Sequence, residues 1–485
     1  MPPTEGLTDR TSLRDFLEIR YEQLEEMNLE AKRQRLERMP VDVVREQRVK
    51  YLTDEKRIKA VTVCFADLEG RLHMLDYDKK FLLRSADNLT FDGSSIRGFS
   101  AQHESDLRLS IDWPAFWWMP ADVFGPGKVL VFADVLGQDG SPYAADLRSR
   151  LKQFTSELFA KQQMIANVAM EIEGFLFRGR DAEQHYPETN QFEFISTGGY
   201  YHSLPGDDLR RFIDAAAEAQ RAMGFANEKD HPEVAPSQFE MNYSYSEACI
   251  AADQVLLYKL LCRQVAQNLG MTACFLPKPV TGINGSGMHT NISLSQGGKN
   301  LFWDKDGDSG LSAPGWDFID RLLNNASDLC LVLNASVNAY RRLDPHYEAP
   351  NQIKASASDR GSMVRIPLGN ERSARIEVRS VAPDANPYMA VYALLRTGLE
   401  GPQSDPDPNK RSRTRFLPDN IHDALRLFKG SKTITDLLGE SVQSRFAEVK
   451  LASAERCPKA LGSLIKRAEV QFHHEVTNQY LWNRF

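Results

Sequence analysis

Apolar and polar positions change rhythm near residue 58. Upstream, residues 12–39 are rich in Glu, Arg and Leu and hold neither Gly nor Pro. Leu13, Phe16, Leu17, Leu24 and Met27 recur there at helical spacing, which predicts one amphipathic helix. Ser12 is suited to cap it and Pro40 to end it. The pattern leaves open whether this helix packs on its own chain or serves as an arm for assembly or regulation. From Ile58 onward short apolar runs take over. Residues 60–65 and 128–134 read as strands, Glu69-Gly70 as a turn before a strand at 72–74, and the Gly- and Pro-containing stretch 137–142 as a linker. Beyond it, helical segments at 144–159, 209–223, 248–269, 316–339 and 387–399 are interleaved with strands at 168–177 and 375–381. We expect an α+β protein: a helical extension at 1–50, a small β-rich domain at 51–142, and a large domain at 143–485 with an antiparallel sheet and flanking helices.

The length of 485 residues suits several structural units rather than one core. A net charge of −7 gives no global attraction for nucleic acid or an anionic membrane. The chain has no apolar run long enough to span a bilayer and no leader-like N-terminus. None of its six cysteines has CxxC spacing and most sit among apolar neighbours, which suits small buried hydrophobes in a reducing compartment. A cytoplasmic protein is expected.

Candidate chemistry lies in the large domain. In Met170-Glu171-Ile172-Glu173 the two carboxylates share one strand face. Like charges so placed repel unless a counter-charge intervenes, and a divalent cation would supply one; two solvent-facing acids are the plain alternative. In Arg375-Ile376-Glu377-Val378-Arg379 the charged residues again share a face, and guanidinium groups beside a carboxylate suit anionic substrates. In Asn284-Gly285-Ser286-Gly287-Met288-His289 the glycines allow close backbone approach to a ligand. The strand that follows presents His289, Asn291 and Ser293 on one face. Arg341, Arg342, Arg360 and Arg365 supply further anion-binding forks.

Taken in order, these segments resemble the glutamine synthetase family, specifically its bacterial and archaeal type I members. The resemblance runs from about Ile58 to the C-terminus. It includes Phe91-Asp92-Gly93-Ser94-Ser95, the Glu-Ile-Glu strand, Gly198-Gly199-Tyr200, Glu233-Val234-Ala235-Pro236-Ser237-Gln238-Phe239-Glu240, the Asn-Gly-Ser-Gly-Met-His loop, Tyr347-Glu348-Ala349-Pro350 and the Arg-Ile-Glu-Val-Arg strand.

The resemblance implies a β-grasp-like small domain and ATP-dependent ligation of ammonia to the γ-carboxylate of glutamate through a γ-glutamyl phosphate. It implies two Mg²⁺ or Mn²⁺ ions per site, one held by Glu173, Glu233 and Glu240 and the other by Glu171, His289 and Glu377. Glutamate would bind Arg342 and Arg379, with backbone near Asn284 and Gly285. Asn291, Ser293, Arg365 and Arg375 would contact ATP, and Arg360 the phosphoryl group in transfer. Asp92 would bind ammonium and take its proton, with Ser95, Tyr200 and Glu233 completing that pocket, while Glu348 would close a flap over the site. The implied assembly is a dodecamer of two hexameric rings, in which Asp92 serves a neighbouring chain. Two segments depart from the family pattern: Asp344-Pro345-His346-Tyr347 stands where Val-Pro-Gly-Tyr is common, and Asp359-Arg360-Gly361 where Asn-Arg-Ser is usual. The alternative activity is a γ-glutamyl ligase taking a small primary amine.

Overall fold

A computed structural model describes residues 19–189, 191–202, 204–343, 349–404 and 414–472, the side chains of His103, Pro187 and residues 457–472 aside. Ser12, Leu13, Phe16 and Leu17 of the expected first helix lie outside the described residues, as do Asp344, His346, Tyr347 and Glu348 of the expected flap.

The small sheet has strand order β2-β1-β5-β4-β3, from β1 (Ala60–Ala66), β2 (Leu72–Asp78), β3 (Leu89–Asp92), β4 (Asp106–Trp118) and β5 (Val129–Leu136). Its one parallel ladder joins β1 to β5; the other ladders are antiparallel.

The large sheet is built around β6 (Met164–Arg178). Its path runs β13-β14-β15-β11-β6-β8-β7, through β7 (Asn227–Pro232), β8 (Gln238–Tyr243), β11 (Met288–Gln296), β13 (Gln352–Ser356), β14 (Ser362–Arg365) and β15 (Ile376–Val378). The short strands β9 (Ser246–Glu247) and β10 (Met271–Cys274) also pair with β6, and β12 (Lys299–Asn300) pairs with β11. Its ladders are antiparallel except for β13–β14. On β6 the side chains alternate: Ala166, Val168, Met170 and Ile172 are buried, while Asn167, Ala169, Glu171 and Glu173 are part-exposed on the opposite face. The apolar face packs on the helices Leu147–Gln162 and Ala248–Asn268. The polar face is left for chemistry.

The described part of the first helix is α1 (Tyr21–Leu36), and a helix that the pattern did not reveal, α2 (Val41–Asp54), follows it. Pro40 does not end α1, which stops at Leu36; it is the N-cap of α2, where its fixed φ is suited to a helix start. The α1 helix packs on its own chain. The Asn28 side chain donates to the carbonyls of Trp118 in β4 and Ala222 in the large domain, and accepts from the Trp118 amide. Arg35 forms a 2.6 Å ion pair with the fully buried Asp253. The same Asp253 carboxylate is bound by Arg148, whose guanidinium also meets Asp112 of β4 and Asp134 of β5 at 2.7 Å. A buried cation with no such acceptors would cost several kcal/mol, roughly the penalty for an unpaired interior charge. Small sheet, large domain and N-terminal helix therefore share one ionic knot, and a continuous apolar core surrounds it.

The long helix expected at 316–339 is three shorter ones, Ala313–Asn324, Ala326–Leu333 and Val337–Arg342. Polar side chains at the breaks bind backbone instead of continuing the coil. Asn325 donates to the carbonyls of Arg321 and Pro402, and Ser336 caps the last helix through the amide of Ala339. Five cysteines, Cys64, Cys249, Cys262, Cys274 and Cys330, are free and buried.

Candidate active site

The polar face of β6 and its neighbours line a cavity of about 430 Å³. Strand register decides who meets whom. His289 of β11 lies opposite Glu171 of β6, and Asn291 of β11 lies opposite Glu377 of β15. On the other side, Glu240 of β8 pairs with both Glu173 of β6 and His231 of β7.

Two clusters of ligand-type atoms result, each within 4.8 Å: Glu171, His289 and Glu377, and His231, Glu233 and Glu240. The first is the trio expected for one metal. In the second, His231 stands beside Glu233 and Glu240, and Glu173 lies between the two clusters. One Glu173 oxygen accepts from the Gly287 amide at 2.9 Å, and the other is 3.9 Å from Nε2 of His289. A Cβ at Gly287 would sit 2.5 Å from an Arg342 nitrogen and 2.7 Å from Nε2 of His289, so a larger residue there would push on both side chains.

The electrostatics of the two clusters differ. Burial raises the Glu171 carboxyl, but His289 and Asn291 outweigh it and hold it down at about 2. Glu233 is pushed up to about 8, first by burial and then by Glu173. Glu240 is raised well above the carboxylate range by burial and by Glu171 and Glu173. Burial and neighbouring carboxylates both disfavour the charged form of Glu233 and Glu240. The buried Nε2 of His231 has no hydrogen-bond partner. Oxygen-rich donors with one imidazole in each cluster suit a hard divalent ion, so the residues present fit a metal at both places.

Arginines form the opposite wall. Arg342 is buried, donates to the Arg379 carbonyl at 2.8 Å and keeps its other terminal nitrogen without a partner; burial lowers it to about 10. Arg379 pairs with Glu377 at 3.2 Å and also donates to the Arg360 carbonyl. Arg365, rather than Arg375, supplies the second guanidinium on Glu377, at 2.7 Å. Arg375 turns instead to the Asn291 side chain at 2.9 Å. Arg360, Asn284, Gly285 and Tyr200 also border the cavity. Asp359, at the departure before Arg360, is tied to Lys354 at 2.6 Å and to the Gly361 amide at 2.8 Å.

A second cavity of about 410 Å³ adjoins the first and is bordered by Asn291, Ser293, Arg375 and Tyr245. Asp92 and Ser95 border neither. Both are on the exposed edge of the small sheet, where the Asp92 carboxylate accepts from the hydroxyls of Ser94 and Ser95 at 2.6 Å.

The acidic motif from Glu233 to Glu240 does not contain His231 or Lys229, and Tyr201 is a third residue at the site outside the sequence motifs. The first two were detectable: Lys229, His231 and Glu233 alternate, which places all three on one side of an extended chain. Tyr201 carried no such signal. Its ring packs 3.9 Å from Tyr200, centroid to centroid, and the two hydroxyls are 2.8 Å apart.

Comparison with known proteins bears on this architecture. The profile of the glutamine synthetase catalytic domain matches residues 144–468, and that of the glutamine synthetase beta-Grasp domain matches residues 57–138. A glutamine synthetase of Methanosarcina mazei is 37% identical over 411 residues, covering 81% of this chain and 90% of the relative. One from Staphylococcus epidermidis is 35% identical over 425 residues, covering 83% and 93%. A solved structure described as a GmaS/ADP complex superposes with a TM-score of 0.72 at 26% identity, covering 90% of this chain and 98% of that one. A β-grasp domain joined to a catalytic domain with paired acid–imidazole clusters defines a ligase architecture. The chain belongs to the glutamine synthetase family. It is an enzyme of the ligase class, and ATP and divalent cations are general requirements of that family.

Proposed function

We propose that the enzyme joins ammonia to the γ-carboxylate of glutamate, using ATP to make a γ-glutamyl phosphate. The observation that carries the reading is the facing of the two acid–imidazole clusters by the buried, partly unpartnered Arg342 and by Arg379. A carboxylate is a poor acyl donor because oxide leaves poorly, and phosphorylation supplies a better leaving group. In the proposed roles, Arg342 and Arg379 hold the glutamate carboxylates by forked hydrogen bonds, with backbone of Asn284 and Gly285 alongside. Arg360 and Arg365 face the phosphoryl group. Glu171, His289 and Glu377 form one cation site; Glu173, Glu233 and Glu240, with His231, form the other. Divalent cations held by these residues would supply positive charge to offset that of the phosphoryl group as it moves. Asn291, Ser293 and Arg375 border the nucleotide's cavity.

Ammonia is favoured by the intact Asp92-Gly93-Ser94-Ser95 segment and by Tyr200 beside Glu233, which together give an ammonium ion anionic and hydroxyl acceptors in place of water. One observation favours a second reading, ligation of a small primary amine: the superposed GmaS structures, that name denoting a γ-glutamylmethylamide synthetase. An amine panel decides between them. With glutamate, Mg²⁺ and ATP, ammonium is expected to give a higher kcat/KM than methylammonium or ethylammonium. A higher kcat/KM for either alkylamine would overturn the ammonia assignment.

We further propose that the active form is a dodecamer of two hexameric rings, with a single hexamer as the lesser form. The position of Asp92, away from its own chain's cavities, supports a site completed by a neighbour. Sedimentation of the active enzyme should give six or twelve subunits; full activity in a monomer would refute the arrangement.

We also propose a cytoplasmic location; among the described residues no helix is long and apolar enough to cross a membrane.

A further inference from the structure

The two cavities meet at three side chains that border both: Glu171, Lys229 and Arg375. Two of the three are already engaged. Glu171 accepts from the Asn291 amide at 3.0 Å and belongs to the His289 cluster. Arg375 spends its Nε on Asn291 and a terminal nitrogen on the Ser373 carbonyl. Lys229 has no hydrogen bond or ion pair to another side chain among the described residues. It is nonetheless close enough to stabilise the charged forms of Glu171 and Glu233.

The strand explains its position. In β7, Lys229 lies opposite Asn242 and His231 opposite Glu240, with a register irregularity immediately before Lys229. Alternation along the extended chain then sends Lys229, His231 and Glu233 to the same side. His231 and Glu233 reach the second metal-type cluster, and Lys229, one step further out, reaches the mouth between the cavities.

We infer that Lys229 binds the α,β-diphosphate of the nucleotide as it passes from the second cavity into the acid-rich one. The inference rests on the nucleotide assignment made above. A polyphosphate crossing this junction brings a dense negative charge past the Glu171 carboxylate, and a neighbouring cation must offset that repulsion. Arg375 is held in a fixed fork by its own partners. A lysine ammonium is a compact charge with three rotatable donors on a flexible stem, able to follow phosphate oxygens without a preset geometry. Glu171 and Lys229 therefore act as a matched pair at the junction: the carboxylate faces the cation clusters, and the ammonium faces the phosphates.

Calorimetric titration of the full-length enzyme in Mg²⁺ buffer tests this, with ADP and adenosine as the two ligands. Lys229→Ala is expected to weaken ADP binding about ten- to a hundredfold, the scale of one hydrogen bond to a charged group, and to leave adenosine binding unchanged. Lys229→Arg should recover most of the ADP affinity because it keeps the charge. Wild-type ADP affinity in Lys229→Ala would overturn the inference. So would an equal loss for adenosine, which would make Lys229 a wall of the cavity rather than a phosphate contact. Failure of the wild-type enzyme to bind either ligand would instead remove the nucleotide assignment beneath it.

Discussion

Glu240→Ala and Glu173→Ala are each expected to abolish ATP-dependent synthesis, and excess Mn²⁺ should rescue either poorly. Glu240 is buried beside His231 and Glu233. Its removal leaves the proposed site with the carboxylates of Glu173 and Glu233 and the His231 imidazole, one anionic ligand short of what the hard divalent ion would have. Glu173 acts at a different point. It lies between the clusters, and its hydrogen bond to the Gly287 amide also anchors the loop that brings Gly285 to the cavity. Glu173→Ala therefore removes an anionic ligand and loosens the loop together. Losing even an outer-shell partner of a metal site costs ~10–100-fold, so loss of a direct ligand should lower the rate by on the order of 10³-fold or more. Measurement is by glutamine formation at saturating ATP with Mg²⁺ or Mn²⁺ titrated in. Activity near wild type in either variant would remove that residue from the metal assignment.

Asp92→Asn should separate the two half-reactions. The substitution keeps the size and the hydrogen-bonding turn but removes the charge. ATP and glutamate should still form γ-glutamyl phosphate, seen as slow phosphate release, while glutamine formation falls by roughly 10²-fold or more, the scale of losing a positioned base. The bonds from Ser94 and Ser95 hold the Asp92 carboxyl below its ordinary range. Lowered in this way, the carboxylate stays charged well into acid, so its attraction for ammonium is present across neutral pH and fades only as pH falls through that depressed value. Equal loss of both half-reactions would make Asp92 structural. Mixing Asp92→Asn subunits with Glu240→Ala subunits adds a test of shared sites. If each site draws Asp92 from a neighbour, some sites in mixed rings have both residues intact, and activity should reappear on reassembly; two inert populations that stay inert when mixed would place both residues in one chain's site.

Much of the catalytic sheet was legible because its code is local. Alternation alone put Glu171 and Glu173 on one face of β6, and His289, Asn291 and Ser293 on one face of β11, and the structure aligns these faces along a shared ladder. What alternation could not give was the partner across the ladder. Arg375 and Arg379 looked equivalent about Glu377, yet Arg379 alone stays on it, while the neighbouring strands turn Arg375 to Asn291 and bring Arg365 into its place. The continuous apolar pattern at 316–339 concealed two helix breaks, because Asn325 and Ser336 fit a helical period and still prefer to bind backbone when a carbonyl or amide is within reach. The α2 helix was hidden for a related reason: its charged residues face outward around only a few buried positions, Val44, Arg48 and Leu52, so no broad apolar stripe marked it. The placement of Asp92 outside its own chain's cavities was not written in local pattern at all, since strand pairing at a sheet edge decides it.

The docking of α1 has a consequence for the order in which the protein is made. Arg38 at the end of that helix contacts Glu247, 209 residues further along, and Asn28 waits for Ala222, 194 residues away. Translation proceeds at roughly 5–20 residues per second, so the N-terminal helix leaves the ribosome on the order of ten to forty seconds before these partners exist. The β-grasp strands emerge in that interval and can form their five-stranded sheet. Arg148, a buried cation between two acids of that sheet, then still lacks Asp253. Until the helix Ala248–Asn268 appears, α1 can dock only on earlier partners such as Trp118 of β4 and then Ala222, and only afterwards do the first and later parts of the polypeptide lock around a single charge.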